Sequence, residues 1–265
     1  MAEEKTFRDV SVPAAEIGIK RIGIDDLWQA LKAGYDDFTA KPTHVAFICV
    51  IYPLFALLLT LFLTGENVLH LAFPVVSGFT LLGPVVAVCL FEMSRRRELG
   101  LDVTWGSAFG FVHSAKFAPI LALSLLMMLL YVGWLYMAQL LYFGLFGDAQ
   151  PTSVQDFVNQ LMTTRHGAAL IAYGTLIGFM FALVALAISV VAFPLLLDKP
   201  VTLATAVTTS IRAVAANTVT MAIWGLVVVA LLAAGAALLL IGLAVVLPVL
   251  GHATWHLYRR LVEHD

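Results

Sequence analysis

Two histidines set four apart, His252 and His256, are the residues here best spaced for chemistry. On a helix that spacing puts both imidazoles on one face, which suits a metal ion or a haem. Further ligands would have to come from elsewhere, and Glu92 is the acidic candidate near the end of an apolar run. Glu92 precedes Arg95 and Arg96 by three and four positions, so helical ion pairing accounts for it without any reaction. A carboxylate at that depth needs such a partner. Glu92, Arg95, Arg96, His252 and His256 are read as one candidate polar site, structural before metal-binding or proton-relaying. A second set, Ser77, Thr80, Gln139, Tyr173 and Thr175, lies within apolar runs and would line a cavity in a carrier of neutral or amphipathic small molecules.

Against these stand several absences. No apolar run carries Asp, Glu, Lys or Arg near its middle, where ion-coupled carriers place one. There is no phosphate-binding GxxxxGK[ST] loop, no His-Glu-x-x-His and no Gly-x-Ser-x-Gly elbow. No catalytic residue is assigned, and the reading leans away from an enzyme and from any cofactor. Cys49 and Cys89 both sit in apolar runs, which argues against a disulfide framework or a thiolate zinc site.

The elements that must position these residues are membrane spans. The chain is 61% hydrophobic and 12% charged, with a mean hydropathy of +0.96. A soluble domain carries about 25% charged residues. Since about 20 residues cross the hydrocarbon core, the apolar runs predict six spans, at about 43–64, 68–93, 119–146, 168–197, 218–240 and 242–258. The last two divide an uncharged stretch from Thr218 to Tyr258; one span plus a re-entrant piece is the alternative.

Charge fixes the orientation. Of the fifteen Lys and Arg residues, all but Arg165 then fall on one side, which places both termini in the cytoplasm. Residues 1–22 hold no continuous apolar core, read as a mobile cytoplasmic tail rather than a signal peptide, and leave 23–265 as a single transmembrane domain. The basic charges are spread over short loops, which fits contact with anionic lipid and excludes nucleic acid as a partner.

An internal repeat is also legible. Trp28 to Pro42, Trp105 to Pro119 and Leu203 to Asn217 share one spacing, and each segment precedes a pair of spans. The pattern predicts an all-α polytopic bundle of three pseudo-repeats, each an interfacial amphipathic helix followed by a two-span hairpin. In the first copy Leu27, Trp28, Leu31, Tyr35 and Phe38 form the apolar face, with Gln29, Lys32, Asp36 and Asp37 facing away. Pro74, Gly78, Gly83 and Pro84 interrupt span 2; Gly83 with Ala87 would let another helix approach, and Pro84 frees a backbone carbonyl. Outside the membrane, Val154, Phe157, Val158, Leu161 and Met162 share the face of a helix begun by Ser153 and Asp156.

Three stretches carry a resemblance. Trp28 to Gly34, Ser77 to Pro84 continuing through Leu90 to Arg96, and Leu247 to Arg259 resemble a bacterial family of predicted integral membrane proteins, domain of unknown function 2189 (DUF2189). The resemblance covers nearly all of the chain after residue 20. It implies a bacterial inner-membrane protein of unassigned role, loosely associated with cytochrome c oxidase components, and supplies no catalytic residue. The expectation that follows is a non-enzymatic accessory or scaffold subunit of a membrane complex, respiratory among the choices. A small-molecule transporter or channel is the alternative, and a haem- or metal-binding redox protein using His252 and His256 is the second.

Overall fold

The computed structural model describes residues 17–41, 69–148, 151, 153–238 and 242–263. The expected span 43–64 lies outside them. The described helices are α1 (Ile24–Ala40), α2 (Ala72–Gly78), α3 (Gly83–Val86), α4 (Val88–Glu98), α5 (Trp105–Ala108), α6 (Phe117–Phe146), α7 (Val154–Thr163), α8 (Arg165–Ser189), α9 (Ala192–Asp198), α10 (Leu203–Ala216), α11 (Thr218–Ala237) and α12 (Leu243–Leu261). No strand occurs among the described residues; one isolated bridge joins Ile19 and Val262.

Four described stretches are long and apolar enough to cross a membrane: Leu69–Glu98, Phe117–Phe146, Arg165–Asp198 and Thr218–Ala237. α12 is not among them, because His252, His256, Arg259 and Arg260 dilute its apolar half. The stretch 165–198 breaks after Ser189. Pro194 has no N–H to return to the Val190 carbonyl, and the Val191 N–H turns to Ser210 Oγ at 3.2 Å.

The chain divides into two compact units. Among the described residues, one takes in 69–82 and Leu126–Ala185. Here the interruption of span 2 is real: α2 ends at Gly78 and a 3-10 turn, Phe79–Leu82, follows. Carbonyls in a last helical turn lack helical donors. Trp134 Nε1–H donates to the Pro74 carbonyl at 2.9 Å, and the Tyr131 hydroxyl reaches that of Val75 at 3.5 Å. The close approach is at Gly78, where a Cβ would meet Tyr131 at 2.6 Å. In the same unit α7 starts where Ser153 Oγ accepts from the Asp156 N–H, and Phe157 faces the Tyr142 ring.

The other unit takes in, among the described residues, 17–41, Gly83–Leu125 and 186–263. α1 packs along α12, and the face it buries corrects the sequence reading. Leu27, Ala30, Gly34, Asp37 and Phe38 are inside, while Trp28 is 61% and Tyr35 54% exposed. Small residues win the packed face because they let backbones approach: a Cβ on Gly34 would lie 2.5 Å from the Ala253 nitrogen. Trp28 and Tyr35 are left outward, where their amphipathic rings suit a headgroup layer. At Gly251 the space of a side chain is taken instead by the Leu90 side chain of α4. At Gly83 a Cβ would meet nothing within 4 Å among the described residues, so none of them makes the expected approach there.

The three lead-in segments differ. Trp28 and Leu203 lie in the continuous helices α1 and α10. The segment from Trp105 makes only the four-residue α5 and a 3-10 turn, Gly110–His113. Gly106 and Gly110 lower its helix propensity, and Thr104 and Ser107 form a capping box at its start. Residues 17–22, expected within a mobile tail, are held. The Lys20 N–H donates to the Leu261 carbonyl at 2.8 Å, the Glu263 N–H to that of Gly18 at 3.0 Å, and the Ile22 N–H to Asn217 Oδ1 at 2.8 Å.

Substitutions at glycine separate these contacts. Gly34→Val drives a side chain into the Ala253 backbone, and an overpacked site of this kind costs roughly 1–3 kcal/mol. Gly83→Ala, which meets none of the described residues, is expected to leave stability unchanged or raise it by up to about 1 kcal/mol. Thermal unfolding of both purified variants in one detergent checks the contrast; equal midpoints would refute the close α1–α12 contact.

Candidate functional site

The polar residues of the second unit sort onto two sides of α4. Ser94 and Arg97, three apart, share one side, while Glu92, Arg95 and Arg96 share another. The sequence pooled Glu92, Arg95, Arg96, His252 and His256 as one site; the structure separates them into two.

The first cluster centres on Asp37, which the sequence placed facing away from the apolar side of its helix. Its carboxylate is buried. Ser94 Oγ donates to Oδ2 at 2.5 Å, His256 Nε2–H to the same oxygen at 2.8 Å, and Arg97 Nη1 to Oδ1 at 2.6 Å. Ser94 Oγ also lies 2.8 Å from His252 Nδ1. A hydroxyl has one proton to give, and a carboxylate takes it. His252 therefore carries its proton on Nδ1 and donates it to Ser94. Burial alone would raise the Asp37 carboxyl, and the bonds from His256 and Ser94 outweigh it, so the group is held below the ordinary 3.8.

His256 joins this cluster because one helical turn places it above His252 and opposite Asp37. Arg259 pairs with Glu98 at 2.7 Å and Arg260 with Asp26 at 2.9 Å. Trp255 Nε1–H also donates to Glu98 at 3.0 Å, and the Tyr258 hydroxyl to Asp198 at 2.6 Å. Among the described residues no three His, Cys, Asp or Glu side chains come together to hold a metal. The facing nitrogens of His252 and His256 address Ser94 and Asp37.

On the other side of α4, Arg95 makes two bonds to Glu92, at 2.7 and 2.9 Å, and Arg96 lies 3.8 Å from the same carboxylate. A cleft of about 260 Å³ opens beside them, lined also by Ser107, Ser114 and Lys116.

The five residues expected to line a cavity all fall in the first unit. Ser77 Oγ and Thr80 Oγ1 donate to their own backbone, at the Pro74 and Ser77 carbonyls. Tyr173 and Thr175 are exposed on α8, and Gln139 is half-buried on α6.

Sequence reasoning missed Asp37, Ser94 and Arg97. The signal for Asp37 was its place three after Gly34 and seven after Ala30, on the small-residue face. Ser94 and Arg97 carried none until α12 was seen to lie beside them.

The cluster predicts an acid dependence. The folded Asp37 carboxyl sits below 3.8, so its contribution is complete above that value and is lost as pH falls through the folded value. Asp37→Asn is expected to lower stability by about 2 kcal/mol at pH 7. The difference from wild type should shrink towards the acid limit in thermal unfolding between pH 3 and 7. A constant difference would refute the charged role.

No curated protein and no solved structure matches the chain. The geometry is that of helices with apolar outer faces and polar groups bonded to one another, as a bilayer solvent demands. Residues 72–198 match the model of the family described as predicted integral membrane protein (DUF2189), the family that the sequence resembles, and the chain is a membrane protein with several candidate spans.

Proposed function

We propose that the protein is a non-enzymatic accessory or scaffold subunit of a membrane complex, with a respiratory complex as the first choice. The observation that carries this reading is the internal use of its polar groups. Asp37, Ser94, His252, His256 and Arg97 bond to one another, and Ser77 and Thr80 bond to their own helices. Meanwhile large apolar side chains such as Leu129 on α6 and Leu226 on α11 stand outward. Groups arranged in this way hold helices together and offer an apolar flank to lipid or to another subunit.

The same proposal takes the protein as six spans in a bacterial inner membrane, with both termini in the cytoplasm. Support comes from the charge distribution and from α12, which returns beside α11 with Gly235 against Gly242. The polar side chains that exclude α12 on composition are met by α1, α4 and Asp198. The first and third lead-in helices support the pseudo-repeat, with the glycine-rich second copy diverged.

Transport of a neutral or amphipathic molecule is the second reading, favoured by the broken segment 72–86. The engagement of its Pro74 and Val75 carbonyls by Trp134 and Tyr131 weighs against it. A haem or metal site at His252 and His256 keeps only its spacing as support.

Two measurements test this. Tagged full-length protein, isolated from native membranes in mild detergent, is expected to bring a stoichiometric membrane partner; a clean homomeric product would overturn the subunit reading. For topology, Ser153→Cys in a background lacking Cys49 and Cys89 should react with an impermeant maleimide on intact cells, and Glu263→Cys only after permeabilisation. The reverse pattern would sink the orientation.

A further inference from the structure

The cleft beside α4 is left over from the reading above, and it has the makings of an anion site. Arg95, Arg96 and Lys116 line it together with Glu92, so cations outnumber the carboxylate. Both Glu92 oxygens are taken by Arg95. Arg96 directs its Nε to the Asp102 carbonyl at 2.7 Å. Lys116 Nζ donates to the Leu197 carbonyl, a neutral acceptor, and no carboxylate stands at ion-pair distance from it among the described residues. Asp198, the next acidic neighbour, is bonded to Tyr258 and lies 3.6 Å from Arg259. Burial, and then the nearby Arg95 charge, pull the Lys116 ammonium below the usual lysine range, against the weaker pull of Glu92 and Asp198. Ser107 and Ser114 direct their protons to backbone carbonyls, so cations would do the holding.

The place of the cleft says what kind of anion. Arg95 and Arg96 lie in the last turn of the candidate span Leu69–Glu98, and Lys116 immediately precedes Phe117–Phe146. Phe109, Val112 and Phe117 are exposed in and after the connecting segment. Phe111 lines the cleft itself, between the exposed Phe109 and Val112 in sequence. A free phosphate has no use for such apolar neighbours, whereas a phospholipid places its phosphate and its acyl chains side by side.

We propose that this cleft binds the phosphate of an anionic phospholipid headgroup through Arg95, Arg96 and Lys116, with Phe109, Val112 and Phe117 against the acyl chains. The site needs only that the chain is a membrane protein and stands whether or not a partner subunit exists.

Native mass spectrometry of the full-length protein in detergent, exchanged against phosphatidylglycerol or phosphatidylcholine, tests it. Wild type should retain phosphatidylglycerol selectively, and excess inorganic phosphate should not displace it. Arg96→Gln and Lys116→Gln should each weaken retention about fivefold, while Lys32→Gln, an exposed lysine away from the cleft, changes nothing. Gly110→Leu is the second variant: it keeps every charge, and a Cβ there meets nothing within 4 Å among the described residues, so it fills the lining without a clash with them. Its retention should fall as well. Equal retention of phosphatidylcholine, displacement by inorganic phosphate, or unchanged retention in folded Gly110→Leu would each overturn the assignment.

Discussion

A carboxylate taken out of water has to be met by donors, and the second unit is arranged around that requirement at Asp37. Three side chains from two helices converge on it, and a fourth reaches it through Ser94. Because α1, α4 and α12 each contribute, removing any one leaves a buried polar group unanswered, which costs more than the bond itself contributes. The glycines serve the same end. Gly34 and Gly251 bring α1 and α4 close enough to α12 for short side chains such as Asp and Ser to reach across. Longer side chains would tolerate looser packing; these do not.

α4 shows how one short helix divides labour by periodicity. Leu90, Ser94 and Arg97 turn one way and close the helix packing. Glu92, Arg95 and Arg96 turn another way, and Glu92 makes two neighbouring arginines tolerable at a membrane boundary. The run of arginines that marks the end of the apolar stretch is thus three residues with three different surroundings.

Much of this was legible in the sequence where hydrophobicity dominates and less where shape does. The apolar run read as 119–146 is a helix from Phe117 to Phe146, and that read as 218–240 is one from Thr218 to Ala237. The Ser153 cap and the interruption of span 2 follow from local chemistry, and both are present. The inward face of α1 was misjudged because a hydrophobicity pattern ranks Trp28 and Tyr35 above Ala30 and Gly34. Against another helix in an apolar setting, size decides instead. Once that face turns, Asp37 turns inward with it. The second lead-in segment was read by its Trp-to-Pro spacing, which is blind to what Gly106 and Gly110 do to a helix between those marks.

The pairing of Ile19 with Val262, and of α1 with α12, sets an order of events during synthesis. The first described helix to leave the ribosome packs against the last. Asp37 therefore waits for His252 and His256, more than two hundred residues downstream, before its donors are assembled. Until then, among the described residues, only α4 meets the Asp37 carboxylate, through Ser94 and Arg97. A chain stopped short of its last helix would leave the small-residue face of α1 bare and the Asp37 carboxylate short of its imidazole donor.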